Sequence, residues 1–291
     1  MAEMVYLNGS LMPRSEAKLS PFDHGFLYGY GLFETMRAYS GHIFHLDRHL
    51  ARLSRSAEII GLKSRLASFD LKQACIDTLQ ANGLTEARLR LAVSGGEGEI
   101  IPDPSTCQGH TVFIVAGSYT PRHTQIYQEG FKAVVSSLRR NSQSPLSRIK
   151  SASYLESILA RMEAKAAGVD EALFLNDRGF LVEASTSNVF LVNAGMLFTP
   201  PEESGILPGI TREAVMELAQ SSGIEVTEHE VTLEQLLEAE ESFLTNSILE
   251  IMPLTWVNGK PLGSGKPGVV TRRLMAAYKE LVKTAIEAPP R

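Results

Sequence analysis

Lys150 stands in SPLSRIKSASYLESI, residues 144–158, with serine, alanine and isoleucine around it and no acidic residue beside it. A lysine in that setting is either a surface solubiliser or an amine kept for chemistry. Glu183 lies among small polar residues in LVEASTSNVFLV, after an apolar strand. A carboxylate there is exposed or is paired with a specific cation. In GILPGITREAVMELA, Gly205, Pro208 and Gly209 precede a helix that starts at Ile210–Thr211. A helix N-terminus offers N–H groups and a positive dipole end to an anion. Gly209 would let the anion approach the backbone, and Thr211 would add a hydroxyl. The same segment also reads as an ordinary helix entry capped by threonine. Arg88 and Arg90 in ARLRLAVSGG fall on one side of a strand. They could clamp carboxylates bidentately, or form a solvated face. Thr245, Asn246 and Ser247 close a short apolar strand in FLTNSILEIMPLT, a place for a site or for a turn.

Other patterns carry less. GYGLFE has Gly29 and Gly31, but Glu34 holds the third glycine position of a dinucleotide loop. GSGKPG lacks the spacing and hydroxyl of a phosphate-binding loop and reads as an exposed turn. His42, His45 and His49 have no HExxH context, so a structural or surface role is expected for them. No GxSxG elbow is present.

The elements that must carry these residues follow from periodicity. Asn8-Gly9 between short apolar runs signals a hairpin. Leu46, Leu50, Leu53, Ala57 and Ile60 recur at helical spacing. Asp70 caps a helix that stops near Asn82-Gly83. ARLRLAVS alternates, with Leu89 and Leu91 on one face, and TVFIVAGS reads as a buried strand. YTPRHTQIYQEG is polar and is expected to be a linker. After it come a strand at FKAVVSS, a helix from Tyr154 to Gly168, and successive strands turning at 177–179 and 193–195. Thr211–Ser222 is a helix, Thr232 and Gln235 form a capping box, and a helix runs from Gly268 to about Ala285. The tail APPR is expected to fray. Hairpins interspersed with helices indicate an α+β, mixed α/β architecture with barrel-like character rather than a doubly wound sheet. The expected division is 1–119, a linker at 120–130, and 131–291.

The chain has 291 residues, a hydrophobic fraction of 44% and a net charge of -5. These suit a globular protein with an ample core. Basic stripes are missing, so nucleic acid is not an expected partner. No apolar run approaches a membrane span, and MAEMVYLNGS has no signal-peptide pattern. Cys75 and Cys107 form no CxxC pair, which argues against a thiolate metal site and points to a cytoplasmic location.

Five stretches in order, SPFDHGFLYGYGLFETMRAYSGHIFHLDRHLARL, RIKSASYLES, GFLVEASTSNVF, GILPGITRE and FLTNSILEIMPLT, together resemble the class IV aminotransferases. This is the fold-type IV group of pyridoxal 5'-phosphate (PLP) enzymes, which includes branched-chain and D-amino acid aminotransferases and 4-amino-4-deoxychorismate lyase. The resemblance implies two domains with PLP in the cleft between them, a small-molecule substrate, and a homodimer in which residues near Tyr28 reach toward the neighbouring site. It implies that Lys150 forms the Schiff base with PLP and that Glu183 pairs with the pyridine nitrogen. It implies that Arg52, Ile210, Thr211 and Ser247 hold the phosphate and that Tyr154 lies near the ring hydroxyl. Burial away from anions would keep the lysine amine neutral, and Glu183 would keep the ring an electron sink. The substrate side is expected to comprise Arg88, Arg90, Tyr28, Phe33 and Ile248. Because Lys150, Glu183 and Arg52 are all present, a non-catalytic PLP carrier is the less favoured reading.

Within the family, local features lean toward the lyase. Thr35 replaces the glycine usual in branched-chain enzymes, Arg88 replaces their frequent tyrosine, and Arg90 is kept. TNSILEI and LSPFDHGFLYG are similar to lyases. LPGITRE and NGKPLGSGKPG are equally at home in aminotransferases. The implied lyase reaction converts 4-amino-4-deoxychorismate to 4-aminobenzoate and pyruvate, a folate-pathway step, with Lys150 as base and Thr35 positioning the substrate. The alternative is amino-group transfer to a 2-oxo acid.

Overall fold

The computed structural model describes residues 3–287, so the tail Ala288–Arg291 lies outside the described residues. The chain forms two compact units. Of the described residues, the first holds 3–120, the segment Ile149–Ser153 and 285–287. The second holds Pro121–Arg148 and Tyr154–Thr284.

In the first unit, β1 (Met4–Leu7) and β2 (Ser10–Pro13) form the expected hairpin. Asn8 and Gly9 both take positive φ, 47° and 99°, the twist that two-residue hairpins favour. After α1 (His24–Tyr28) come β3 (Gly31–Tyr39), β4 (His42–Ile43), α2 (Leu46–Ile59), α3 (Lys63–Leu66), α4 (Leu71–Ala81), β5 (Ala87–Ser94) and β6 (Thr111–Ser118). The strands order as β2-β1-β6-β5-β3-β4, with antiparallel pairings. Leu32 and Met36 of β3, Leu89 and Leu91 of β5, and Ile114 of β6 meet Leu53 and Ala57 of α2 and Cys75 and Leu79 of α4 in one core. Asp70 caps α4 by accepting from the Gln73 N–H at 2.9 Å. TVFIVAGS departs from expectation: it alternates buried and half-buried, because only one face of this sheet meets the helices.

The second unit contains α5 (Thr124–Glu129), β7 (Phe131–Arg140), α6 (Leu155–Ala166), β8 (Glu171–Asn176), β9 (Leu181–Ala184), β10 (Asn188–Asn193) and β11 (Met196–Thr199). It continues with α7 (Ile210–Ser221), β12 (Val226–Glu228), α8 (Leu233–Leu237), β13 (Glu241–Asn246), β14 (Glu250–Val257), β15 (Lys260–Pro261) and α9 (Val269–Glu287), whose end falls in the first unit. The sheet runs β12-β11-β10-β13-β14-β7-β8-β9, and β10 also pairs with β9. That pairing closes six strands on themselves, the barrel-like feature read from the sequence. Phe131, Leu173, Leu181, Val189, Leu244 and Met252 fill its core. Thr232 and Gln235 make the capping box of α8.

Two segments differ from the expected division. The stretch expected as a linker, 120–130, folds its second half into α5. The segment Ile149–Ser153, expected within the C-terminal domain, groups with the first unit because it hydrogen-bonds along the edge of β3.

Candidate active site

The candidate residues fall into two sets, one in each unit. The first is built on β3. The Phe33 N–H donates to the Lys150 carbonyl at 2.9 Å, and the Ala152 N–H donates to the Gly31 carbonyl at 2.8 Å. Lys150 therefore sits on an extended segment that meets the edge of β3 through the isolated bridge Leu32–Ser151. Its Nζ lies 4.6 Å from the centroid of the Phe33 ring, and the Arg90 guanidinium carbon lies 3.7 Å from the same centroid. Thr35 pairs with Arg90 across the ladder, and Arg37 with Arg88. Alternation puts Phe33, Thr35, Arg88 and Arg90 on the face away from the helices. Arg88 is exposed and Arg90 half-buried. The structure adds Arg37, buried and 4.2 and 4.3 Å from the rings of Tyr39 and Tyr119. Tyr28 ends α1 and meets His24 edge-on at 5.0 Å.

Arg52 projects from α2 to a buried carboxylate on β3. Its Nε donates to Glu34 Oε1 at 2.8 Å and its Nη2 to Oε2 at 2.6 Å. His49, one turn earlier, approaches Oε2 through Nδ1 at 2.8 Å. Burial alone would raise the Glu34 carboxyl. The Arg52 charge and the bonds from His49 and Arg52 more than offset it and bring it to about 2. Burial pushes His49 below its ordinary value despite Glu34, so the ring is neutral and its Nδ1–H donates. The structural role expected for His49 is thus a specific one, while His42 is exposed and His45 is the left-handed N-cap of α2.

The second set surrounds Glu183, near-buried on β9. Its Oε1 lies 3.6 Å from Arg140 Nη2, and its Oε2 accepts from the Leu207 N–H at 3.2 Å. Asn188 Nδ2 donates to the Leu207 carbonyl at 2.9 Å. These bonds bring the GILPGIT segment to Glu183. Gly209 is the N-cap of α7 and no side chain caps the helix; Thr211 is buried inside it. Threonine capping is therefore corrected. Gly209 also has a packing reason, since a Cβ there would overlap Asn188 Oδ1. The Tyr154 hydroxyl donates to the Ser185 carbonyl at 3.3 Å, and burial, then the Glu183 charge, raises its pKa. Tyr154 is the N-cap of α6 rather than its first residue. Asn246 Oδ1 accepts from the N–H groups of Ile248 and Leu249, and its Nδ2 donates to Ser187 Oγ at 2.8 Å. This ties the turn carrying Ser247 and Ile248 to the one after Glu183. Thr245 is buried, and its Oγ1 finds no hydrogen-bond partner among the described residues.

Sequence reading missed Glu34, Arg140, Arg37 and Glu171. Glu171 is fully buried and accepts from the Thr186 hydroxyl at 3.3 Å and from the Ala172 N–H at 2.9 Å. Glu34 had a signal: an acid at a core-facing position of an alternating strand, ahead of a His-x-x-Arg spacing on a helix. Nothing in SSLRRNS separates Arg140 from Arg139.

The chain belongs to the class IV aminotransferase family: the family model "Amino-transferase class IV" matches residues 31–257. The cofactor of that family is PLP. A Methanocaldococcus jannaschii protein provisionally named a branched-chain-amino-acid aminotransferase is 39% identical, over 95% of this chain and 96% of that one. Aminodeoxychorismate lyase of Bacillus subtilis is 35% identical over 97% and 96%. The solved Escherichia coli branched-chain amino acid aminotransferase superposes with a TM-score of 0.91 at 32% identity, covering 97% of this chain and 95% of that one. A further branched-chain amino acid aminotransferase, solved with pyridoxamine 5'-phosphate, superposes with a TM-score of 0.90 at 31% identity, covering 97% and 94%. Each unit holds donors that suit part of PLP: an amine and a buried guanidinium in the first, and a buried carboxylate and a helix start without a side-chain cap in the second.

Proposed function

We propose that the protein is a PLP-dependent lyase that converts 4-amino-4-deoxychorismate to 4-aminobenzoate and pyruvate. The observation that carries this reading is the face around Lys150. The Thr35 hydroxyl stands opposite Arg90 in register, and Arg88 lies two positions along the same strand. A hydroxyl and two guanidiniums suit a dicarboxylate better than an aliphatic side chain.

PLP, when bound, supplies the electron sink that makes a carbon–hydrogen bond beside an amine breakable. Lys150 is the residue that attaches it. Arg52, Ile210, Thr211 and Ser247 serve its phosphate, and Glu183 and Tyr154 serve its ring. The substrate's amine takes the place of Lys150, and the freed Lys150 amine then takes the proton from the ring carbon that bears the substrate's amino group. Arg88 and Arg90 hold carboxylates, Thr35 orients the ring, and Phe33, Tyr28 and Ile248 border the substrate. Loss of the enolpyruvyl group leaves an aromatic amine. A second reading is transfer of an amino group to a 2-oxo acid by a branched-chain or D-amino acid aminotransferase, and the names of several relatives favour its branched-chain form.

The two readings separate in one experiment. The purified protein is given chorismate, glutamine and an aminodeoxychorismate synthase, and 4-aminobenzoate is measured. In parallel it is given leucine, glutamate or D-alanine with 2-oxoglutarate. Formation of aminobenzoate supports the lyase; rapid transamination without it overturns that reading.

The protein is further proposed to act as a homodimer in the cytoplasm. Leu155, Ile158, Leu159 and Met162 are exposed at helical spacing along α6, an apolar stripe of the kind that protein partners cover. Sedimentation equilibrium gives twice the chain mass if this holds.

A further inference from the structure

Glu34 lies on the core face of β3, and the chemistry proposed above does not use it. It is 1% exposed, and its two charged or polar partners, Arg52 and His49, are buried with it. Burying such a pair has a large desolvation cost, and well-packed apolar residues are often as stable or more so. Fold stability alone is therefore a weak reason for this arrangement. Its geometry supplies a better one. A carboxylate that accepts from both Nε and Nη2 fixes the guanidinium plane as well as its position. Nη1 lies outside that pair, so the same contact sets where Nη1 points. His49 donates to Oε2, the oxygen that also accepts from Nη2, and so holds the carboxylate against rotation.

We infer that Glu34 is a positioning residue for the cofactor phosphate, acting through Arg52, which it holds in the one orientation that binds that phosphate. This rests on the reading of Arg52 as a phosphate ligand. Glu34 touches neither cofactor nor substrate in this scheme. Its effect is confined to the phosphate and leaves the aldehyde and ring contacts unaltered.

The test is selective binding. The full-length chain, freed of cofactor, is titrated with PLP and with pyridoxal, which lacks the phosphate, following protein fluorescence. Glu34→Gln is expected to weaken PLP by about 10-fold or more, in line with loss of a charged hydrogen-bond partner, and to leave pyridoxal within about twofold. Equal losses for both ligands, or none, overturn the proposal, since a merely structural role does not distinguish them. Should Glu34→Gln not fold, Glu34→Asp carries the same reading: it keeps the charge but withdraws the carboxylate from both nitrogens by one methylene. An unchanged PLP-to-pyridoxal ratio in Glu34→Asp overturns the proposal. Arg52→Gln is the control. If it is not selective for PLP, the phosphate reading of Arg52 itself falls. If it is selective and the Glu34 variants are not, only the role of Glu34 falls.

Discussion

The two units each bury an ion pair near a candidate site, and they build it in opposite senses. In the first, a carboxylate serves a guanidinium: Glu34 grips Arg52 through two bonds of 2.8 and 2.6 Å. In the second, a guanidinium faces a carboxylate: Arg140 Nη2 lies 3.6 Å from Glu183 Oε1. Arg140 is also shared, at 2.9 Å with Glu156, 3.0 Å with Ser157 Oγ and 4.3 Å with the Phe174 ring centroid. The tight pair fixes the direction of its cation. The other carboxylate is held from two sides, by Arg140 and by the Leu207 N–H at 3.2 Å.

The sharpest break of this comparison leaves both pairs intact. Lys150→Ala is expected to abolish turnover and the visible absorbance of the PLP-loaded protein, while circular dichroism stays unchanged. Glu183→Gln comes next: turnover falls on the order of 10²–10³-fold, as for loss of one preorganised electrostatic group, with little change in melting temperature, because Arg140 keeps its contacts with Glu156 and Ser157. Glu34→Gln reverses that pattern. It removes one partner of a tight buried pair and costs about 3–5 kcal/mol in urea unfolding. Its pH signature follows from the carboxyl lying at about 2 against an ordinary value of 4.5. A depressed folded-state value gives stability that is complete above 4.5 and is lost as pH falls toward about 2. Wild type should lose stability across that window, and Glu34→Gln should flatten this component. Smallest is Gly209→Ala. The methyl would press on Asn188 Oδ1, so the entry to α7 must shift, at about 1–3 kcal/mol in the same unfolding assay.

What could be read before the structure was largely periodic or local. The Asn8-Gly9 hairpin, the Asp70 cap, the alternation of β5 and the Thr232–Gln235 box are each determined within a few residues, and each is where it was expected. The two departures from the expected domain division are long-range. YTPRHTQIYQEG lacks a strong apolar period, yet its end packs as α5 because Ile126 and Tyr127 lie against the second core. Ile149–Ser153 has no strand pattern at all; β3 supplies the order. Lys150, Glu183, the helix start at Ile210 and the 245–248 turn were visible as residue types in motifs. Their supports were not. Glu34 and Arg140 act across elements distant in sequence, and a single sequence carries no pairing information of that kind.

The placement of Lys150 also has a kinetic side. Ser153 Oγ donates to the Gly29 carbonyl at 3.4 Å across 124 positions of chain, and Gly29 takes a left-handed φ of 68° where a Cβ would crowd Ser153. Contacts that close so long a loop add entropy cost and come late relative to local ones. During synthesis the strands of the first sheet are complete well before the lysine leaves the ribosome, so the edge of β3 waits for it. Lys150 is then set in place after the strands it lies against, so its placement depends on their having folded.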